Sequence, residues 1–219
     1  KVQSEALAPF VDLRIVDCAH RLPLVPHRLQ DHYLYLKALR ELQGWVPDII
    51  HAHAGYPAGP IGLMLKNKWN RPLVVTEHTG PIHLLETFFG SFERQKRFYE
   101  QCDGLIAVSG FQKTELQRYT QKEVAVIGNI VEDRYFNIPA PKGSHDEFAL
   151  AFVGALTQAK GAKDLLAFAK SYRGPPLRVN VLGQGPFERE LRGLQTQDVR
   201  YAFFDPAQVS VAEILSRSQ

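Results

Sequence analysis

The sequence predicts an α/β protein in which two parallel-sheet units follow one another along the chain. Short β-branched runs alternate with helical patterns, the arrangement that yields parallel strands covered by helices. The stretch "NIPAPKGSHDE" (137–147) carries two prolines, a glycine and no apolar periodicity, and it divides that alternation in two. With 219 residues, 45% hydrophobic and 22% charged, the chain has enough apolar material for one large domain or two small ones. The division is a first domain over 1–138, a linker over 139–147 and a second domain over 148–219.

The expected strands of the first unit are "VDLRIV" (11–16), "DIIHA" (48–52), "LVVTEH" (73–78), "GLIAVS" (104–109) and "VAVIGN" (124–129). Those of the second are "FALAFVG" (148–154), "LRVNVLG" (177–183) and "VRYAFF" (199–204). Helical spacing of apolar residues places helices near 29–43, 57–69, 91–102, 110–120, 160–172, 186–195 and 208–218. There is no internal repeat.

Charge and cysteine usage narrow the function classes. The formal net charge is +3, with Lys and Arg interleaved among Asp and Glu, so no basic stripe calls for nucleic acid. Such a surface tolerates anionic substrates and peripheral contact with a membrane. Cys18 and Cys102 form no CxxC pattern, which suits a reducing cytosol and inert thiols. No apolar run reaches the ~20 residues that cross a bilayer. The stretch "KVQSEALAPF" lacks the basic and apolar regions of a signal peptide. A cytoplasmic location follows as an expectation, extending to the inner face of the membrane.

In open parallel sheets, ligands bind beyond the carboxyl ends of the strands, where helix N-termini offer free N–H groups to anions. In "LAFVGALTQAKGAKDLLAF" (150–168) an apolar run ends in Gly154 and a helix is expected to open with Lys160 and Lys163. Cations there oppose the helix dipole by roughly 0.3–1 kcal/mol each. A phosphate bound by the helix start and by Lys160 would offset that conflict. The alternative is a pair of solvated lysines. The next strand ends in "VLGQGPFERE", where Gly183 and Gly185 permit close backbone approach and Pro186 suits a first helical position. This GxG is weak evidence alone, because Glu188 stands where a dinucleotide fingerprint has its third glycine.

In the first unit, His51 and His53 lie two apart on one strand and therefore share a face. "VVTEHTG" brings Glu77 and His78 to the carboxyl end of the following strand. An HxH pair can serve zinc, but a closed site needs three or four ligands, and the other nearby candidates are Glu77, His78 and His83. No metal is expected. Ser109 precedes a helix without a GxSxG elbow around it, which favours a helix cap over a nucleophile.

Six pieces, "PDIIHAH", "PLVVTEHTG", "CDGLIAVSGFQKTEL", "VAVIGNIVEDRYF", "LAFVGALTQAKGAKDLL" and "LRVNVLGQGPFERELRGL", stand in the order and spacing of the family 4 (group 1) glycosyltransferases. From about residue 45 onward the chain resembles these retaining enzymes of the GT-B fold. The resemblance implies two Rossmann-like domains facing across a cleft, with the acceptor held mainly by the first and a nucleotide-diphosphate sugar by the second. The second domain would then be incomplete in this chain. The nucleotide sugar is a co-substrate, and no cofactor or metal is implied.

Carried over by motif, His78 would be the catalytic residue, touching the transferred sugar. Lys160 would hold the diphosphate, with Gly154, Gly161, Gly183 and Gly185 lining the donor. His53, Ser109 and Asn129 would line the cleft and hinge. The family usually has Arg in its "FVGR" position, where this chain has Ala155. The expected activity is transfer of a hexose-type sugar to a glycan or lipid-linked acceptor of the cell envelope. Two other readings stand beside it: an inactive GT-B-like protein that binds nucleotide or carbohydrate, and a metal-dependent hydrolase built on "HAHAG".

Overall fold

A computed structural model describes residues 2–8, 11–16, 26–138, 148–194, 196 and 198–218. The expected linker at 139–147 lies outside the described residues, as does Cys18. The chain forms two compact units, Lys1–Asn129 and Ile130–Gln219.

The first unit opens with a departure from expectation. Strands β1 (Val2–Ala8) and β2 (Val11–Val16) pair antiparallel, Val2 opposite Val16, as a sheet of their own. The run 11–16 is thus half of a hairpin and not a strand of the parallel sheet. Two residues separate the strands, and a parallel neighbour needs a crossover of a dozen or more. Helix α1 (His27–Leu42) follows, ending in the left-handed pair Gln43 and Gly44.

The main sheet of this unit comprises β3 (Ile50–His53), β4 (Leu73–Glu77), β5 (Gly104–Ala107) and β6 (Val124–Val126), all parallel and adjacent in chain order. Between β3 and β4 runs α2 (Ala58–Trp69). A 3₁₀ turn at Ile82–Leu85, α3 (Glu86–Phe89) and α4 (Phe92–Gln101) link β4 to β5, and α5 (Gly110–Leu116) links β5 to β6. β4 is buried along nearly its whole length, as a central parallel strand covered on both faces must be. Its Leu73 and Val75 join Ile50, Ala52, Phe98, Tyr99, Leu105, Leu116 and Val124 in one core. Asp103 closes the lower end: its Oδ2 accepts from Leu73 N at 2.7 Å and from Lys66 Nζ at 2.6 Å. That ammonium holds the carboxyl below its ordinary range. Cys102 is buried, its thiol pushed up to about 12 by burial, as an inert cysteine should be.

In the second unit β7 (Phe148–Val153), β8 (Leu177–Leu182) and β9 (Val199–Phe204) form a parallel sheet in chain order, connected by α6 (Ala162–Ser171) and α7 (Glu188–Gly193) and followed by α8 (Val211–Ser216). Leu156, Leu166, Leu177, Val179, Val181, Leu191 and Val199 are its core. Buried Asn180 donates to Arg217 O at 3.2 Å and Ser218 Oγ at 3.0 Å, which pins the end of α8 to the central strand.

Candidate functional site

β3 alternates buried and exposed residues, so His51 and His53 project from the same face. His51 Nε2 lies 2.8 Å from Thr76 Oγ1, and His53 Nδ1 lies 3.0 Å from His78 Nε2. The His53 and His78 rings stack at 5.3 Å with 19° between their planes. Three imidazoles therefore gather at the carboxyl ends of β3 and β4. Partial burial, then the proximity of His53 and His78, lowers the pKa of His51.

The chain turns sharply after this strand. Ala54 has φ +74°, a left-handed conformation that costs an L-residue roughly 1–2 kcal/mol, and its N–H is held by Thr76 O at 2.8 Å. Strain of this kind persists only where the surroundings over-determine it.

The residue that over-determines it is Glu77, only 1% exposed. Oε2 accepts from Gly55 N at 2.9 Å and Tyr99 Oη at 2.8 Å, while Oε1 accepts from His78 N at 3.0 Å and Thr79 N at 2.8 Å. One carboxylate thus fixes both the loop after His53 and the loop bearing His78. Burial and the neighbouring carboxylate push the Tyr99 phenol far above its ordinary value. The sequence offered Glu77 only as a metal ligand; the signal for its actual role is an acidic residue closing an apolar strand run. His83 sits exposed in the 3₁₀ turn, and among the described residues no three His, Cys, Asp or Glu are placed to hold a metal ion.

Ser109 caps α5: its Oγ accepts from Gln112 N at 3.2 Å. Gln112 is buried, accepts from Val108 N at 2.8 Å and donates to Thr79 O at 3.1 Å, tying the loop after β5 to that of His78. Asn129 is exposed and is the last residue of the first unit.

In the second unit Lys160 ends a 3₁₀ turn (Gln158–Lys160), and Gly161, at φ +83°, separates it from α6. The α-helix therefore starts at Ala162 instead of Lys160. Lys163 stands in its first turn together with Asp164, whose charge complements the dipole. Pro186 precedes α7, which starts at Glu188.

Gly154, Gly183 and Gly185 meet where two strand-end loops close on one another. Gly154 N donates to Leu182 O at 3.0 Å, Leu156 N to Gln184 O at 2.9 Å and Phe187 N to Leu156 O at 3.2 Å. A Cβ on Gly183 would overlap the Gly154 carbonyl, and one on Gly185 would come 2.6 Å from the Leu156 carbonyl oxygen. Loop closure requires both glycines. Lys160 is exposed beside this zipped pair of loops, and Ala155 is exposed within it.

Parallel-sheet units whose polar groups gather at strand carboxyl ends define a Rossmann-like α/β class. Residues 4–135 match Glycosyltransferase Family 4, and the chain belongs to that family. It is 31% identical over 144 residues to the uncharacterized glycosyltransferase MJ1178 of Methanocaldococcus jannaschii, covering 66% of this chain and 39% of the relative. Its fold is similar to Anabaena Alr3699/HepE in complex with UDP, with TM-score 0.61 and 18% identity over 85% of this chain and 55% of that one. The same protein in complex with UDP-glucose gives TM-score 0.56 and 20% identity over 78% and 51%. TarM gives TM-score 0.50 and 15% identity over 82% and 36%. The chain thus spans about half the length of the HepE structures and less than half of the other two relatives.

Proposed function

We propose that the protein transfers a sugar from a nucleotide-diphosphate sugar to a glycan or lipid-linked acceptor, with retention at the anomeric carbon. The observation that carries this reading is the His53–His78 pair fixed at the strand ends of a Family 4 chain. The complexes of HepE with UDP and UDP-glucose support a uridine diphosphate sugar as donor. The bond from the anomeric carbon to the diphosphate breaks with its electron pair leaving on the phosphate. The acceptor oxygen bonds that carbon from the same face, and its proton passes to the departing phosphate oxygen.

His78 touches the transferred sugar in this reading, and His53 sets its ring. Lys160 neutralises the leaving diphosphate at the turn that Gly161 closes, while Gly154, Gly183 and Gly185 keep the nucleotide wall flat. In this reading the chemistry needs no cofactor or metal, because Lys160 carries the charge. Among the described residues no helix is long and apolar enough to cross a membrane; we place the protein in the cytoplasm, at the inner membrane face when its acceptor is lipid-linked.

Ala155 favours a second reading, in which the fold binds donor without turnover. Release of UDP from UDP-sugars over an acceptor panel, compared with His78→Ala, separates the two. Turnover abolished by the substitution supports transfer; no release with intact UDP binding supports the binding protein.

A further inference from the structure

A cavity of about 540 Å³ opens in the first unit beside the loop that leaves His53, and the transfer chemistry does not use it. Its volume lies within the roughly 300–1,000 Å³ of small-molecule sites. Leu63 and Met64 of α2, Phe88 and Phe89 of α3 and Phe98 of α4 give it apolar walls. The walls are built: Tyr56 stacks on Phe88 at 4.8 Å and 13°, and Phe89 on Phe98 at 5.0 Å and 29°.

The rim has a different character. Arg94 and Arg97 both border the opening, three residues apart and hence on one face of α4. Both are exposed, and among the described residues neither stands in an ion pair. Buried Asp31 also lines the cavity and has interactions of its own. Each of these two exposed guanidiniums can hold a phosphate in bidentate fashion. Tyr56 follows His53 by three residues, so their Cα atoms lie at most about 11 Å apart.

We propose that this cavity receives the long-chain phosphate portion of the acceptor, hydrocarbon against the α2 and α4 walls and phosphate across Arg94 and Arg97. The word acceptor rests on the transferase reading above. An apolar cavity with a cationic mouth selects a ligand with both features, and neither a free glycan nor a neutral lipid has them.

The test titrates the chain with dodecyl phosphate below its micelle concentration, using dodecyl maltoside and inorganic phosphate as parallel arms and UDP as a control. The expected result is saturable binding of one dodecyl phosphate, weakened tenfold or more by Arg94→Gln with Arg97→Gln and by Met64→Glu. Dodecyl maltoside should bind at least tenfold more weakly, and inorganic phosphate should not compete. Equal affinity for the two amphiphiles, or affinity unchanged in the arginine variant, overturns the proposal. Absence of dodecyl phosphate binding with UDP binding intact overturns the cavity assignment alone. Absence of UDP binding overturns the transferase reading beneath it.

Discussion

His53 Nδ1 and His78 Nε2 face each other at 3.0 Å across the ends of adjacent parallel strands. Such a contact needs one nitrogen carrying a proton and the other a lone pair, so it exists only while the pair is not doubly protonated. The geometry couples the protonation of one ring to the orientation of the other.

Acid should loosen this region. The folded His51 resists protonation, whereas the unfolded imidazole takes up a proton near pH 6.5. The unfolded state therefore binds more protons as pH falls below that value, and stability declines until the folded His51 also titrates. Denaturant midpoints should drop between about pH 7 and 5, and His51→Gln should flatten the curve.

Glu77→Ala should cost at least about 3 kcal/mol, since it strands donors from Gly55, His78, Thr79 and Tyr99 around an empty site. Tyr99→Phe removes one of the four bonds and should cost about 1.5–3 kcal/mol. Urea unfolding checks both. Transfer activity should fall in Glu77→Gln even where the variant remains folded, because the His78 loop loses its carboxylate anchor.

Gly185→Ala forces a methyl against the Leu156 carbonyl and should destabilise the second unit by about 1–3 kcal/mol. Its UDP affinity should fall with it, because the loops that meet there also form the proposed donor wall. Calorimetric titration against thermal unfolding separates the two effects.

Ser109→Ala should cost about 1 kcal/mol through loss of the α5 cap. A much larger loss of activity at unchanged stability would assign the hydroxyl to the substrate instead.

How far the sequence reaches is visible in particular residues. Seven of the eight expected strands lie in the two parallel sheets, because short apolar runs separated by stretches long enough for a crossover are a local signal of parallel pairing. The exception, 11–16, pairs with 2–8, whose polar alternation "VQSEALA" gives no buried-strand signal. His51 and His53 were legible because period two puts them on one face. Glu77 was not, since its partners are backbone N–H groups and a tyrosine 22 residues away. The aromatic cavity was equally hidden: it is assembled from four helices and a loop, none of which carries more than part of its wall.

The most direct test of the account is a calorimetric titration of UDP into the chain and into Lys160→Ala. Micromolar-range binding that weakens at least tenfold in the variant, as loss of a charge-assisted hydrogen bond predicts, places the diphosphate at the 3₁₀ turn. Absent binding, or equal affinity in the two proteins, would contradict the donor site on which the proposed transfer rests.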